Sequence, residues 1–116
     1  MIDETVTRRL VAILAADMVD YSRHMHKDED ATVAAWHRAR REVIDPTITR
    51  HTGRIVKHTG DGFLAEFSTI AGAVRCALEM QADFSERKMQ GEQGLSAEFR
   101  MGINLGDIVV DSDDIH

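Results

Sequence analysis

Two aspartates carry most of the chemical information in this sequence. Asp17 follows the apolar run of residues 11–16, and Asp61 stands in the turn of residues 57–64. A carboxylate fixed where a strand ends is already positioned for a ligand, and two such carboxylates can share a hard divalent cation. If the two meet in space, the ligand that suits them is a metal-bound polyphosphate.

Both aspartates need strands that end beside them. Residues 10–16 form a continuous apolar run of strand length, which is typical of a central strand buried on both faces. Residues 54–59 and 63–67 predict two further strands, joined by a hairpin turn at Asp61-Gly62. The sequence therefore places each carboxylate at the end of a strand.

The segment between the first two strands predicts a polar loop followed by a helix. Residues 17–30 are polar and end in acidic residues that favour a helix start. Apolar side chains then recur at helical spacing as far as Ile44, with Trp36 as a core residue. Pro46 predicts a kink or a restart of this helix, and Gly53 suits a left-handed exit from it.

A second helix is predicted after the hairpin, with Ser68 or Thr69 as its cap. Its apolar stripe is expected to comprise Ile70, Ala73, Val74, Ala77, Leu78 and Phe84. Residues 89–96 predict a loop, residues 98–105 alternate as a strand does, and residues 107–110 predict a short fifth strand. The order indicates an α+β fold, the ferredoxin-like β-α-β-β-α-β pattern of an antiparallel sheet with its helices on one face.

Composition narrows the class of protein. The 116 residues suit one domain, with residues 1–7 as a flexible N-terminus, and they carry 14 Lys+Arg against 20 Asp+Glu for a net charge of −6. This balance disfavours nucleic acid as a partner, and no apolar stretch reaches transmembrane length. The single cysteine, Cys76, has no disulfide partner within the chain, which indicates a cytoplasmic location.

Three segments resemble a known family in the same order along the chain. They are AADMVDYS at residues 15–22, RIVKHTGDGFLAEF at residues 54–67 and RMGINLGDIVV at residues 100–110. Together they resemble the class III nucleotidyl cyclases, the catalytic domain of adenylate and guanylate cyclases, over residues 8–116. Three ordered segments in matching strand and turn contexts are more specific than one short motif.

The resemblance implies a two-metal site, holding Mg²⁺ or Mn²⁺, at the interface of a head-to-tail homodimer. By position, Asp17 and Asp61 are the metal-binding carboxylates, and the Met18 carbonyl is a further ligand. The backbone amides that would hold the triphosphate belong to the next four residues, Val19, Asp20, Tyr21 and Ser22.

The resemblance also implies a substrate and a reaction. Lys57 and Asp114 match positions that read the adenine base, which favours ATP over GTP. In the family's reaction the 3′-hydroxyl of ATP attacks the α-phosphorus and expels pyrophosphate, giving cyclic AMP. Positioning and charge neutralisation do most of this catalysis, because no protein nucleophile is needed.

Two departures from the family pattern bear on activity. Asp20 stands where the family usually has glycine, close to the expected phosphates. The sequence given ends at His116, before the family's helix with its asparagine and arginine, so we expect the isolated chain to be inactive. A regulatory domain is expected in a parent protein.

Two alternative functions stay open. One is a catalytically incompetent, cyclase-like module that binds nucleotide or regulates. The other is a diguanylate cyclase, which shares the sheet topology, although its signature turn is absent here.

Three further groups have plain structural interpretations. His24 and His26 are expected to be solvated, and Cys76 and Phe84 are expected in the core. The last group comprises Arg38, Arg40 and Arg41, for which a phosphate-binding patch is an alternative and a solvated helix face is expected.

Overall fold

Four strands form one antiparallel sheet in the computed structural model, which describes residues 6–89 and 98–111. The strands are β1 (Val6–Met18), β2 (Arg54–His58), β3 (Gly62–Phe67) and β4 (Phe99–Asp111). Their order in the sheet is β2-β3-β1-β4, and all neighbours are antiparallel. The helices are α1 (Tyr21–Lys27), α2 (Glu29–Ala39), α3 (Asp45–Arg50) and α4 (Ile70–Met89). The predicted α+β, ferredoxin-like arrangement is confirmed.

The last strand is longer than the sequence indicates. β4 pairs with β1 without interruption, from Met18 opposite Phe99 to Val6 opposite Asp111. The separate fifth strand predicted for residues 107–110 is therefore wrong. Gly106 does not break the ladder, since it pairs with Val11 in an unbroken register.

The polar segment after β1 is helical rather than a loop over Tyr21–Lys27. No residue of α1 is buried, so it lacks the apolar periodicity by which a helix is detected from sequence. Its end is fixed by hydrogen bonds to the His24 carbonyl, which accepts from the Asp28 amide at 3.0 Å and from the Thr32 hydroxyl at 2.9 Å. Asp28 then caps α2 by accepting from the Ala31 amide at 3.0 Å, so the acidic helix start is confirmed.

A five-residue π-helical turn, Arg40–Ile44, joins α2 to α3. Pro46 lies in the first turn of α3. The chain keeps a right-handed helical conformation through Ile44 and Asp45, so the helix does not stop and restart at Pro46 but changes to π geometry just before it. Val43 and Ile44 are fully buried, which anchors the turn to the core.

The exit from α3 differs from the expectation for Gly53. Thr52, not Gly53, has the left-handed conformation, with φ of 56°. Gly53 is needed for space instead, since a Cβ there would lie 2.3 Å from Cε2 of Phe67. The glycine therefore lets the chain pass against the Phe67 ring as it enters β2.

The buried face of α4 matches the predicted stripe only in part, since Ala77 packs against the core with Ala73 and Phe84. Ile70, Val74 and Leu78 are 47%, 38% and 65% exposed. Ala73 and Phe84 are buried as expected, and the other buried residues of this face are Cys76 and Met80. Apolar residues occur on both faces of α4, so helical spacing alone does not identify the inner one.

The helices cover one face of the sheet. Residues Ala12, Leu14 and Ala16 of β1 are buried in the core with Phe63 of β3. Trp36 and Phe84 are confirmed as core residues, with ring centroids 5.7 and 4.9 Å from that of Phe99. The alternate residues of β1, among them Ile13, Ala15 and Asp17, face the open side of the sheet. This open face carries the candidate site.

Candidate functional site

The fold brings Asp17 and Asp61 together. Asp17 lies opposite Gly62 in the β1–β3 register, so Asp61 is next to the residue that faces Asp17. The Met18 amide donates to the Asp61 carbonyl, with N and O 2.8 Å apart. Asp17 on β1 and Asp61 in the turn before β3 thus line one cleft at the edge of the open face.

Gly62 makes this approach possible. A Cβ on Gly62 would lie 1.9 Å from the Ala16 carbonyl oxygen, which no side chain can accommodate. The turn before it is closed by the Thr59 amide, which donates to the Gly62 carbonyl at 3.0 Å. The Asp61-Gly62 pair therefore combines a hairpin turn with close packing of β3 on β1.

A cleft of about 550 Å³ opens at this point. Its walls come from the ends of β1 and β4 and from the β2–β3 turn. Its polar side chains are Asp17, Thr59, Asp61 and Arg100. Because Asp17 is 45% exposed, its carboxylate is accessible to a ligand from solvent.

Arg100 is a site residue that the sequence did not single out. Its Nε donates to Oδ1 of Asp17 at 3.2 Å, and the two residues are paired across β1 and β4. In the sequence it is only one polar position of an alternating strand, 83 residues from Asp17. Opposite charges at facing positions would have revealed it, but only once the register of the two strands was known.

The structure does not bring Lys57 into this cleft. Lys57 lies opposite Leu64 across β2 and β3, after a bulge at Val56, and it is exposed. Leu64 in turn faces Ala15, so Lys57 shares the open face of the sheet with Asp17 but lies two strands away from it. Asp114 lies outside the described residues.

The turn after β1 is only partly available to a ligand. The Val19 amide donates to the Glu98 carbonyl at 2.8 Å, so this N–H is already engaged. Asp20 has φ of 57°, a left-handed conformation that favours glycine, which gives a physical reason for the family's glycine there. Its carboxylate pairs with Arg23 at 2.7 Å. Tyr21 packs against the core, and Ser22 is exposed.

The donor set at Asp17 and Asp61 is compatible with a hard cation. Carboxylate and carbonyl oxygens are the ligands that Mg²⁺ and Mn²⁺ prefer, and Mg²⁺ is commonly held by one or two carboxylates plus substrate phosphates. No group of three or more His, Cys, Asp or Glu suited to a metal occurs among the described residues. A cation held here would have two carboxylate ligands, and its remaining ligands would come from backbone or substrate.

The other sequence candidates lie away from the cleft. His24 and His26 are exposed, two residues apart on α1, and do not face the same side of the helix. Cys76 is fully buried, and burial raises the pKa of its thiol to about 12, so the prediction of a buried, unreactive cysteine agrees with its surroundings.

The arginines near the end of α2 do not form the solvated face that was predicted. Arg38 and Arg40 are half-buried, and only Arg41 is largely exposed. Arg38 donates to Glu42 at 3.1 Å.

No helix in the described part of the chain is both long and apolar enough to cross a membrane.

Comparison with known proteins gives similarity to cyclases in both sequence and structure. No protein-family model matches the chain. "Putative adenylate cyclase 3" of Rhizobium meliloti (strain 1021) is 41% identical over 119 residues, which cover 99% of this chain and 20% of that protein. The chain therefore spans a fifth of the length of this curated relative.

Two solved structures extend the similarity. The adenylate/guanylate cyclase/hydrolase from Silicibacter pomeroyi is 46% identical, with a TM-score of 0.77, over 96% of this chain and 64% of that one. The guanylyl cyclase Cya2 is 29% identical, with a TM-score of 0.73, over 89% of this chain and 57% of that one. The similarity thus includes proteins named for either nucleotide.

Proposed function

Since this chain belongs to the class III nucleotidyl cyclases, we propose that it forms part of an adenylate cyclase catalytic domain, which converts ATP into cyclic AMP and pyrophosphate. The observation that carries the proposal is the meeting of Asp17 and Asp61 at the edge of an open cleft. Carboxylates so placed suit a metal-bound polyphosphate and have no evident role in the core.

Asp17, Asp61 and the Met18 carbonyl would hold two ions of Mg²⁺ or Mn²⁺. When bound, such ions lower the pKa of the ribose 3′-hydroxyl and neutralise charge on the phosphates. The chain's part is to fix the two carboxylates. β1 and β3 do so through their ladder and through the hydrogen bond from Met18 to Asp61.

The triphosphate would lie beside Arg100 and the turn after β1. A guanidinium in the cleft can form charge-assisted hydrogen bonds to phosphate oxygens. Of the four amides proposed for the turn, that of Val19 is engaged by Glu98, which leaves Asp20, Tyr21 and Ser22. The extra carboxylate of Asp20 is held by Arg23, and this pairing reduces its repulsion of phosphate.

Adenine would be read by Lys57 and Asp114 of a second copy of the chain. Lys57 is exposed on the open face but does not line the cleft of its own chain. A head-to-tail homodimer that brings the two open faces together would carry Lys57 of one protomer to the cleft of the other. Since the chain covers 20% of its curated relative, a parent protein with a regulatory domain is part of the proposal.

Binding and turnover test the proposal separately. Titration calorimetry of the 116-residue chain with Mn²⁺ and a non-hydrolysable ATP analogue should show binding that Asp17→Asn and Asp61→Asn abolish. The exposed Asp30→Asn, in the first turn of α2, is the matched control and should bind normally. Mn²⁺-dependent cyclic AMP formation by the parent protein should be lost in the same two variants, and unchanged turnover would refute the mechanism.

The alternative function is a cyclase-like nucleotide-binding module without catalysis. Asp20 favours it, because a carboxylate at this left-handed turn position lies among the amides proposed for phosphate. Metal-dependent analogue binding by the parent protein without cyclic AMP formation would support this alternative. Absence of any binding would count against both functions.

A further inference from the structure

A second cavity lies in the helical layer, where the π-helical turn joins α2 to α3. Its volume is about 750 Å³, and its lining includes His37, Arg40, Arg41, Asp45 and Arg50. No residue lines both this cavity and the cleft at Asp17 and Asp61. The cavity is therefore a separate feature, and the proposed cyclase chemistry makes no use of it.

Two of its guanidinium groups lack hydrogen-bond acceptors within the described residues. Nε of Arg40 is buried and has no partner. Arg40 approaches Asp45 only to 3.8 Å, and Arg41 approaches Glu42 only to 3.8 Å, both too far for a hydrogen bond. An unpaired buried donor is costly, so an acceptor from solvent or from a bound ligand is expected beside it.

The carboxylates nearby do not satisfy these arginines. Glu42 already accepts from Arg38 at 3.1 Å and from Arg87 at 2.7 Å. Hydrogen bonding from Arg87, above all, holds the pKa of Glu42 below its ordinary value. Oδ1 of Asp45 is itself buried without a partner. An external acceptor for Arg40 and Arg41 thus has little competition from Glu42.

The third arginine is held firmly in place. Arg50 donates to Glu79 and to the Thr47 hydroxyl, and His51 contacts the other oxygen of Glu79 at 2.9 Å. Arg50 is thus engaged by Glu79 and Thr47, whereas Arg40 and Arg41 have only ion pairs at 3.8 Å. π-Helical turns are rare and occur often at functional sites, and this one begins with Arg40 and Arg41.

We propose that this cavity binds a small anion bearing a phosphate group. The guanidinium fork matches the oxygens of such a group, and bonds between charged partners are about twice as strong as neutral ones. The chain as a whole carries a charge of −6, so attraction must come from this local cluster. The negative charge of Asp45 repels an anion. Replacing Asp45 with a neutral residue should therefore strengthen binding.

The test is titration of the 116-residue chain with inorganic phosphate and with pyrophosphate. EDTA and constant ionic strength exclude metal and general salt effects, and amide NMR shifts locate the bound anion. We expect shifts within residues 40–50. Arg40→Gln with Arg41→Gln should weaken binding about tenfold, and Asp45→Asn should tighten it a few-fold.

Two controls make the outcome decisive. Arg75→Gln removes an exposed charge from α4 outside the cavity and should leave the affinity unchanged. Lys27→Gln removes an exposed charge from α1, also outside the cavity, and should likewise leave it unchanged. Circular dichroism checks that each variant is folded, and the gain expected of Asp45→Asn cannot arise from misfolding.

Several results would overturn the proposal. Equal weakening by Arg75→Gln would show a nonspecific charge effect. Shifts centred on Arg100 with none at residues 40–50 would assign the anion to the other cleft. Absence of phosphate-induced shifts at residues 40–50, or no gain in Asp45→Asn, would mean that solvent alone completes the cavity.

Discussion

Arg100 Nε lies 3.2 Å from Oδ1 of Asp17, so a cation from β4 already occupies one carboxylate of the proposed metal site. The contact is open to solvent, with Arg100 73% and Asp17 45% exposed. It neutralises Asp17 in the absence of a metal ion. A metal that binds Asp17 must therefore displace the guanidinium or share the carboxylate with it.

Removing Arg100 should strengthen metal binding in the absence of nucleotide. Exposed ion pairs contribute up to about 1 kcal/mol, so Arg100→Ala should tighten Mn²⁺ binding by up to about fivefold. The same variant should weaken binding of Mn²⁺ with an ATP analogue, because a phosphate ligand is lost. Calorimetry with Mn²⁺ alone and with Mn²⁺ plus the analogue measures both changes in affinity. The affinities of Arg100→Lys should lie between those of the wild type and Arg100→Ala.

A methyl group on Gly62 should separate the two strands that carry the aspartates. Gly62→Ala places Cβ 1.9 Å from the Ala16 carbonyl oxygen, and backbone must move to relieve that contact. We expect a loss of about 2–4 kcal/mol in the free energy of unfolding and loss of metal binding. Gly60→Ala is the matched control, because no atom lies within 4 Å of its Cβ. Equal urea denaturation midpoints for the two variants would contradict this account.

The left-handed turn at Asp20 should favour glycine over alanine. Asp20→Gly relieves the conformation at φ 57° but loses the ion pair with Arg23, whereas Asp20→Ala loses the pair and keeps the strain. Asp20→Gly should thus be more stable than Asp20→Ala by about 1 kcal/mol. Urea unfolding of the two variants measures this difference, and equal stability would show that the turn can adopt another conformation.

Two carboxylates should make the fold sensitive to acid. The hydrogen bond from Arg50 to Glu79, and that from Arg87 to Glu42, are the largest causes that hold the pKa of each carboxyl below its ordinary 4.5. A lowered folded-state pKa stabilises the protein above pH 4.5, and this stabilisation is lost as the pH falls from 4.5 through the folded values.

Melting temperatures measured from neutral to acidic pH check the direction in which stability changes with pH. The Glu79→Gln variant should be less stable than wild type above pH 4.5 and should show a shallower decline below it. The exposed Glu29→Gln should follow the wild-type profile. If the melting temperature of Glu79→Gln fell as steeply with pH as that of the wild type, Glu79 would not contribute to the acid sensitivity.

The sequence predicted those parts of the fold whose signals are local. The apolar run before Asp17 and the Asp61-Gly62 turn indicated β1, β3 and the hairpin, and these place both carboxylates. α1 was missed because it buries no residue. The inner face of α4 was predicted only in part because its orientation is decided by packing on the sheet, where Cys76 and Met80 fit and Leu78 does not.

The parts of the site that escaped prediction depend on register. Arg100 reaches Asp17 only because β4 pairs with β1 at one particular offset. The engagement of the Val19 amide by Glu98 follows from the same pairing. A shift of two residues would keep every side chain on its face and still remove both contacts, so alternation along the strands cannot reveal them.

The pairing of β1 with β4 also determines at which stage of folding this site forms. Asp17 and Arg100 are 83 residues apart, so the β1–β4 ladder closes a long loop, and such non-local contacts form late and slowly in folding. As the chain leaves the ribosome, both aspartates and the β3 hairpin are present well before β4. Until β4 has been synthesised, one edge of β1 has no partner, and Asp17 cannot yet pair with Arg100.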